Sequence, residues 1–252
     1  MQLDLATLEV HHKALRIDFS LFDEVKSTND EAFKALEKSP FCAVVAKKQN
    51  AGRGRLGRKW EGNEGDCIFY SAGFVVPENF NIEILTCAIA IEILKLIDEK
   101  EEHDLAIKWP NDIYYQGRKL CGILTESKAK NGRIESVVIG IGFNVEMPID
   151  SSSFKREPAW LRELSNLAIE DTILALSWAV KLVYEKLSAD YENFAQEFEK
   201  KDYLKGRQVS INKGEDVLVG LSLGVDNSAK LKFLEQSENK IHLVNAGEVS
   251  IL

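Results

Sequence analysis

The chain has 252 residues and a net charge of −8, which allows one large domain or one domain with a smaller one beside it. Its 45% hydrophobic and 29% charged residues are typical of a globular protein and exclude a disordered chain. The acidic balance argues weakly against nucleic acid as the main partner.

No apolar stretch reaches the roughly 18 residues of a membrane span, and the N-terminus lacks the basic start and apolar run of a signal peptide. We therefore expect a cytoplasmic protein without membrane contact. The cysteines form no C-x-x-C pair and have apolar neighbours, which predicts buried, reduced thiols rather than disulfides or a metal site. They are Cys42, Cys67, Cys87 and Cys121.

The hydrophobic pattern predicts a chain that mixes helices and strands. Residues 1–26 are too few for a separate domain, and the first predicted helix follows over 30–38, capped by Asn29 or Asp30. In chain order we then predict strands over 41–46 and 67–76, a helix over 81–100, a strand over 105–109, a hairpin of 113–115 with 119–125, a strand over 133–145, and one or two helices over 171–202.

The composition changes after Tyr203, where short β-like segments alternate with Gly, Asn, Asp and Ser. This pattern is typical of a small β-barrel or sandwich. The larger part lacks strict βαβ alternation, so we predict an α+β fold with a mixed sheet. The sequence thus predicts two domains, 1–203 and 204–252.

A cationic loop runs against the acidic charge of the chain. Residues 52–60, the arginine loop, read Gly-Arg-Gly-Arg-Leu-Gly-Arg-Lys-Trp. Its glycines let the backbone approach a ligand, and its arginines match carboxylate and phosphate oxygens. The glycines also fit the dinucleotide pattern G-x-G-x-x-G, but no helix-forming segment follows, and the Lys-Ser/Thr pair of a P-loop is missing. A solvated cationic turn remains the alternative.

Other polar groups interrupt apolar segments, and each has a structural alternative. Residues 108–112 (Lys-Trp-Pro-Asn-Asp) place two polar side chains after a strand, or form an ordinary turn. Lys119, within an apolar strand, either supplies a positive charge to a reacting phosphate or extends its ammonium group from the strand into solvent. Gly140 and Gly142 mark close approach of a ligand or a bulge. Residues 27–29 (Ser-Thr-Asn) bind a ligand or cap a helix.

None of the histidines lies in these motifs, and the chain has no G-x-S-x-G elbow. Ser-His-Asp hydrolysis and His-ligated zinc catalysis therefore have little support. Arginine, lysine, carboxamide and backbone groups remain, and they suit electrostatic stabilisation of phosphate and carboxylate groups.

Taken in order, these motifs resemble the biotin protein ligases. The matching segments are STN at 27–29, QNAGRGRLGRKW at 49–60, KWPNDIYY at 108–115, GRKLCGILTES at 117–127 and IGIGFNV at 139–145. The resemblance implies a catalytic domain like that of class II aminoacyl-tRNA synthetases over 1–203 and an SH3-like barrel over 204–252. It implies activation of biotin by ATP, with Mg²⁺, to biotinyl-5′-AMP, and transfer of biotin to a lysine of a biotin carboxyl carrier protein.

The resemblance also implies roles for individual residues. Lys119, Arg53 and Asp112 are the expected catalytic residues. Biotin binding is expected at Ser27, Thr28, Asn29, Gln49, Gly52, Arg53, Lys119, Gly140 and Gly142. ATP or adenylate binding is expected at Arg53, Arg55, Arg58, Trp60, Asn111, Lys119, Asn144 and Trp160. The metal ligands are not identified by any carboxylate cluster.

Some relatives carry an N-terminal helix-turn-helix domain and repress a biotin operon. Because 26 residues precede Ser27, too few for such a domain, we expect neither repression nor DNA binding. A homodimer remains open. The alternatives are a lipoate–protein ligase, a non-catalytic biotin or nucleotide sensor, and a nucleic-acid binder. The Arg-Arg…Gly-Gly-Gly block of lipoate ligases is missing, and Lys119 with the complete arginine loop favours catalysis.

Overall fold

The computed structural model describes residues 3–78, 80–98, 103–148, 157–189, 191–213, 216–245 and 247–252. Its helices are α1 (Leu5–Ala14), α2 (Thr28–Ala35), α3 (Leu85–Ile97), α4 (Leu161–Leu164), α5 (Ile169–Ala189) and α6 (Phe194–Glu199). Its strands are β1 (Asp18–Val25), β2 (Phe41–Gln49), β3 (Cys67–Val75), β4 (Leu105–Lys108), β5 (Asp112–Tyr115), β6 (Arg118–Lys130), β7 (Arg133–Asn144), β8 (Gln208–Lys213), β9 (Asp216–Val225), β10 (Leu231–Glu235), β11 (Lys240–Val244) and β12 (Glu248–Ile251).

The first seven described strands form one mixed sheet in the order β1-β2-β3-β7-β6-β5-β4. β1 pairs with β2 in parallel, and the other neighbours are antiparallel. The predicted α+β fold with a mixed sheet is therefore confirmed.

The two faces of this sheet are packed differently. Ala43 and Val45 of β2 join the main core with α3 and α5, whereas Cys42 and Val44 face the short helix α2. β2 reads as a continuous apolar run because both of its faces are covered. The α2 face is covered over only part of its area, which leaves room for a cavity beside that helix.

Strands β8 to β12 form a second, antiparallel sheet in the order β11-β10-β9-β8-β12. This agrees with the predicted small C-terminal β-domain. The indole Nε1 of Trp109 donates to the carbonyl of Ala229 at 2.7 Å, and Phe233 and Val249 belong to the same core as α3 and α5. The sheets lie on either side of residue 203, while the division into 1–203 and 204–252 stays a prediction.

Most predicted elements are present with shifted ends. The helix predicted from residue 30 begins at Thr28, so the cap position is Ser27 instead of Asn29 or Asp30. The helix predicted over 81–100 begins at Leu85, and residues 99–100 lie outside the described part. The helical region predicted over 171–202 forms two helices, α5 and α6.

The sequence prediction missed α1 and β1 in the first 26 residues. α1 buries Leu8 and His12, a weak apolar stripe. β1 carries acidic residues within its DFSLFDEV sequence and forms because the edge of β2 offers it a partner. Within the described residues, no helix is long and apolar enough to cross a membrane.

We predict that His12 makes the stability of the protein depend on pH. Its ring is fully buried, with Nδ1 2.7 Å from the carbonyl oxygen of Leu8 and Nε2 2.7 Å from Ser177 Oγ. Burial lowers the pKa of His12 below its ordinary value of about 6.5, so the unfolded chain takes up the proton first as pH falls. This contribution is complete above that pH and is lost as pH falls from about 6.5 toward the folded-state pKa.

The measurement is the free energy of unfolding in urea between pH 5 and pH 8. We expect His12→Gln to lower the stability at pH 8 and to flatten its decline toward acid. His11→Gln, one position away and exposed, is the control and retains the wild-type slope. An unchanged slope in His12→Gln contradicts the prediction.

Candidate functional site

A cavity of about 830 Å³ opens on the α2 face of the mixed sheet. It brings together residues that are far apart in the sequence, and the C-terminal sheet closes one side with Gly247, Glu248, Val249 and Ser250. The predicted site residues that line it are Ser27, Thr28, Asn29, Gln49, Arg53, Arg55, Arg58, Trp60, Asn111, Asp112, Lys119, Gly140, Gly142 and Asn144.

Two predicted site residues, Gly52 and Trp160, lie outside this lining. Gly52 has a structural reason to be glycine, because a Cβ there would lie 2.3 Å from the carbonyl oxygen of Trp60. Trp160 is buried at the cap position of α4. Its neighbour Ala159 donates its backbone N–H to the carbonyl of Lys119 at 2.9 Å, which places the segment behind the cavity wall.

The α2 end of the cavity is a buried hydrogen-bond network. Gln49 Oε1 accepts the backbone N–H of Thr28 at 2.8 Å. The hydroxyl of Ser71 lies 2.7 Å from Thr28 Oγ1 and 2.6 Å from Asn29 Oδ1. The amide of Asn29 donates to Glu126 Oε2 at 2.6 Å. Polar side chains are thus held in fixed positions at the start of α2, where backbone N–H groups also point outward.

The glycines of the central strands make room for side chains of the protein itself. A Cβ on Gly140 would lie 2.4 Å from Asn29 Oδ1, and a Cβ on Gly142 would lie 2.1 Å from the ring of Trp60. Gly122, which pairs with Gly142, also faces that ring. The biotin contact expected at Gly140 and Gly142 stays a prediction. In the structure the side chains of Asn29 and Trp60 lie against these two glycines.

Lys119 lines the cavity and faces a carboxylate. Its ammonium is 2.8 Å from Asp112 Oδ1 and 5.2 Å from the centroid of the Trp60 ring. Asn144, which is buried, donates its amide to the carbonyl of Lys119 at 3.1 Å. Strands β5 and β6 thus hold the cation and the carboxylate face to face.

The turn of residues 108–112 positions polar groups against β6. The Trp109–Pro110 peptide is cis. The side-chain amide of Asn111 donates to the backbone carbonyl of Ile123 at 2.8 Å. The backbone carbonyl of Asn111 accepts the N–H of Ile123 at 2.9 Å. These contacts fix the start of β5, and Asp112 follows directly beside Lys119.

Each arginine of the arginine loop has partners within the protein. Arg53 pairs with Asp30 at 2.7 Å and with Glu126 at 3.0 Å. The hydrogen bond between Arg53 and Asp30 raises the pKa of the guanidinium and lowers the pKa of the carboxyl. These ion pairs attach the loop to α2 and β6.

The other two loop arginines reach the C-terminal sheet. Arg55 contacts Asn111 Oδ1 at 3.2 Å and the carbonyl of Gly247 at 3.3 Å, and burial lowers its pKa. Arg58 pairs with Glu248. The loop makes one 3-10 turn at Arg55–Gly57, and no α-helix begins at its glycines. This agrees with the expectation from the sequence, and a dinucleotide-binding loop would have opened a helix there.

Several residues of this network were not found from the sequence. They are Asp30, Ser71, Glu126, Gly247 and Glu248. Glu126 lies within the quoted GRKLCGILTES segment, so the resemblance could have identified it. The contacts of the C-terminal sheet leave no signal in the sequence, because they depend on how two sheets pack.

Residues 21–144, from the third residue after the start of β1 to the end of β7, match the model of the Biotin/lipoate A/B protein ligase family. The match covers 124 of the 252 residues and includes nearly all of the mixed sheet. The chain is 32% identical over 219 residues to the Bifunctional ligase/repressor BirA of Salmonella typhimurium. The aligned region covers 83% of this chain and 66% of that protein. The chain thus spans slightly less than two thirds of that relative.

Two further relatives agree with this family match. The Biotin--[acetyl-CoA-carboxylase] ligase of Paracoccus denitrificans is 36% identical over 124 residues, 47% of this chain and 51% of that protein. The structure of the biotin protein ligase from Aquifex aeolicus in complex with biotin and ATP superposes with a TM-score of 0.77 at 26% identity. That match covers 93% of this chain and 98% of the Aquifex chain, which is more than residues 1–203 alone could account for.

We predict that Gly142→Ala displaces Trp60 from the sheet. The added methyl would overlap the indole, and overpacking of this kind costs about 1–3 kcal/mol unless the ring moves away. Acrylamide quenching of tryptophan fluorescence in a Trp178→Phe background measures the exposure of the ring.

The matched control is Gly54→Ala, where the new Cβ has ordinary contacts of 3.5 Å or more. We expect stronger quenching in Gly142→Ala than in Gly54→Ala. Equal quenching together with unchanged stability would show that the ring does not rest on Gly142.

Proposed function

We propose that the protein is a biotin protein ligase that forms biotinyl-5′-AMP from biotin and ATP and transfers biotin to a lysine of a biotin carboxyl carrier protein. The observation that carries this proposal is the single cavity in which Lys119 and three loop arginines meet the polar network of residues 27–29. The family match and the relatives named above, one of them bound to biotin and ATP, support it.

The first step brings two anions together. A carboxylate oxygen of biotin attacks the α-phosphorus of ATP, the bond to the β-phosphate oxygen breaks, and pyrophosphate leaves. In this proposal Lys119, which lines the cavity beside Asp112, contacts both the carboxylate and the α-phosphate and reduces their repulsion. Arg55 and Arg58 stabilise the phosphates after exchanging their present partners, Asn111 and Glu248.

Biotin binds at the α2 end, where its ureido ring meets hydroxyl and amide groups. Ser27, Thr28 and Gln49 provide these groups, with the backbone near Gly52 and Arg53. Trp60 packs along the apolar part of the ligand once it yields the space over Gly142. Asn144 keeps Lys119 in place through its carbonyl. Trp160 supports the adenine side from behind the wall.

The second step uses the carboxylate of Asp112. The acceptor lysine attacks the acyl carbon of the mixed anhydride, AMP leaves, and the amine loses a proton. Asp112, 2.8 Å from Lys119, orients the incoming amine and receives this proton. The arginine loop excludes water, which would hydrolyse the anhydride.

Mg²⁺ enters this proposal with the triphosphate of ATP, as is usual for nucleotide sites. Among the described residues, the one group of three side chains spaced for a metal is Glu235, Glu238 and His242, in the β10–β11 hairpin. The cavity carboxylates Asp112 and Glu248 are paired with Lys119 and Arg58. The donor set fits a metal carried by the phosphates better than a resident ion. The lack of DNA binding, a cytoplasmic location and a homodimer stay predictions.

The test of the proposed function is biotin-dependent exchange of pyrophosphate into ATP. We expect exchange with biotin and ATP, and none without biotin. Exchange with lipoate instead of biotin would assign the site to a lipoate ligase, and no exchange with either acid would contradict the enzyme assignment.

We predict that Lys119→Ala lowers the rate of adenylate formation by about 10²–10³, the usual effect of removing one charge-stabilising group. Lys130→Ala is the control, since that lysine lies on the same strand and faces Glu135 away from the cavity. A Lys119→Ala rate like that of the wild type would remove this residue from the mechanism.

We predict that Arg53→Ala still forms the adenylate but releases it, because the loop loses its ion pairs to α2 and β6. The measurement is biotinylation of lysines on an unrelated protein at equal adenylate formation. A variant as selective as the wild type would contradict the closing role of the loop.

A further inference from the structure

The network at the α2 end continues into the arginine loop through one carboxylate oxygen. Oε2 of Glu126 accepts from the amide of Asn29 at 2.6 Å and from the guanidinium of Arg53 at 3.0 Å. Asn29 lies on α2, and Arg53 lies in the arginine loop. The carboxylate of Glu126 therefore connects these two regions, beside the direct ion pair of Arg53 with Asp30 of α2.

The position of Glu126 follows from the register of the sheet. It lies on β6 opposite Val138, four residues after Gly122, and therefore on the face that carries the cavity. Gly140 leaves the space that Asn29 fills, and Ser71 lies 2.6 Å from Asn29 Oδ1 on the other side. Asn29 is thus fixed between Ser71 and Glu126, with both ends of its amide engaged.

Arg53 has two carboxylate partners on different elements. Asp30 on α2 receives two of its N–H groups, at 2.7 and 3.1 Å, and Glu126 receives one. The Arg53 and Glu126 side chains are 39% and 31% exposed, so each ion pair contributes modestly and can be exchanged. Such a contact suits a loop that must both close and open.

We propose that Glu126 is a positioning residue that couples the α2 end of the cavity to closure of the arginine loop, an inference that rests on the proposed function for its ligand. A ligand bound against Ser27 and Thr28 holds the start of α2 in place, and with it the contact of Asn29 with Glu126, and Glu126 then holds Arg53. Glu126 touches neither reacting group. In this series of contacts Asn29 is the link between α2 and Glu126, rather than a direct contact of the ligand.

The first experiment does not depend on catalysis. Trypsin cleavage after Arg53, Arg55 and Arg58 in the folded protein, quantified by mass spectrometry, reports opening of the loop. We expect Glu126→Gln to raise this rate roughly three- to tenfold, since one charged hydrogen bond is lost while the shape is kept. Glu31→Gln is the matched control, because Glu31 pairs with Lys34 on the outer side of α2 and should leave cleavage unchanged.

A double-mutant cycle tests the coupling itself. Asn29→Ala should raise cleavage of the loop although Asn29 does not contact it, and it should add little in the Glu126→Gln background. Fully additive effects, or unchanged cleavage in Glu126→Gln, would overturn the proposal. Thermal unfolding within a few degrees of wild type confirms that the variants are folded.

The kinetic arm separates this inference from the proposed function. In biotin-dependent exchange, Glu126→Gln should raise KM for biotin roughly three- to tenfold and leave kcat within about twofold. A fall in kcat at unchanged KM would contradict a positioning role. If wild type shows no exchange while the cleavage results hold, the proposed function fails and the coupling between Asn29 and the loop stands.

Discussion

The cavity depends on one constraint, three positions without a side chain on one face of the central strands. Gly122, Gly140 and Gly142 lie on β6 and β7 on the side of α2, and the other side of those strands is filled by the main core. Any larger residue at Gly140 or Gly142 would collide with Asn29 or Trp60. The space between sheet and helix therefore accommodates Asn29 and Trp60 because these three positions carry no side chain.

Three of the cations around this cavity are paired with carboxylates before any ligand arrives, whereas Arg55 contacts the neutral Asn111 and the carbonyl of Gly247. Lys119 faces Asp112, Arg53 faces Asp30 and Glu126, and Arg58 faces Glu248. An isolated cation in a partly buried cavity would carry a desolvation cost, and the carboxylates offset it. A phosphate or carboxylate ligand then binds by exchanging partners, so the net gain is smaller than the number of arginines implies. The same exchange frees carboxylates for later steps.

The arginine loop is the element to which separate parts of the molecule attach. α2 and β6 hold it through Arg53, the turn after β4 holds it through Arg55, and the C-terminal sheet holds it through Arg55 and Arg58. A loop with three glycines has no stable conformation of its own, so these contacts decide where it lies. The small C-terminal sheet is thereby part of the cavity wall.

The sequence by itself determined the mixed fold, most strands, the resemblance to biotin protein ligases and most of the residues that gather at the cavity. Apolar runs and the arginine, lysine and glycine motifs are local signals, and they persist whatever the packing. Tertiary structure decided the rest: α1 and β1, which need α5 and β2 as partners, and the start of α2, where Gln49 accepts the N–H of Thr28. It also decided what the glycines face and that Glu126 joins Asn29 to Arg53, because these contacts unite residues up to 97 positions apart.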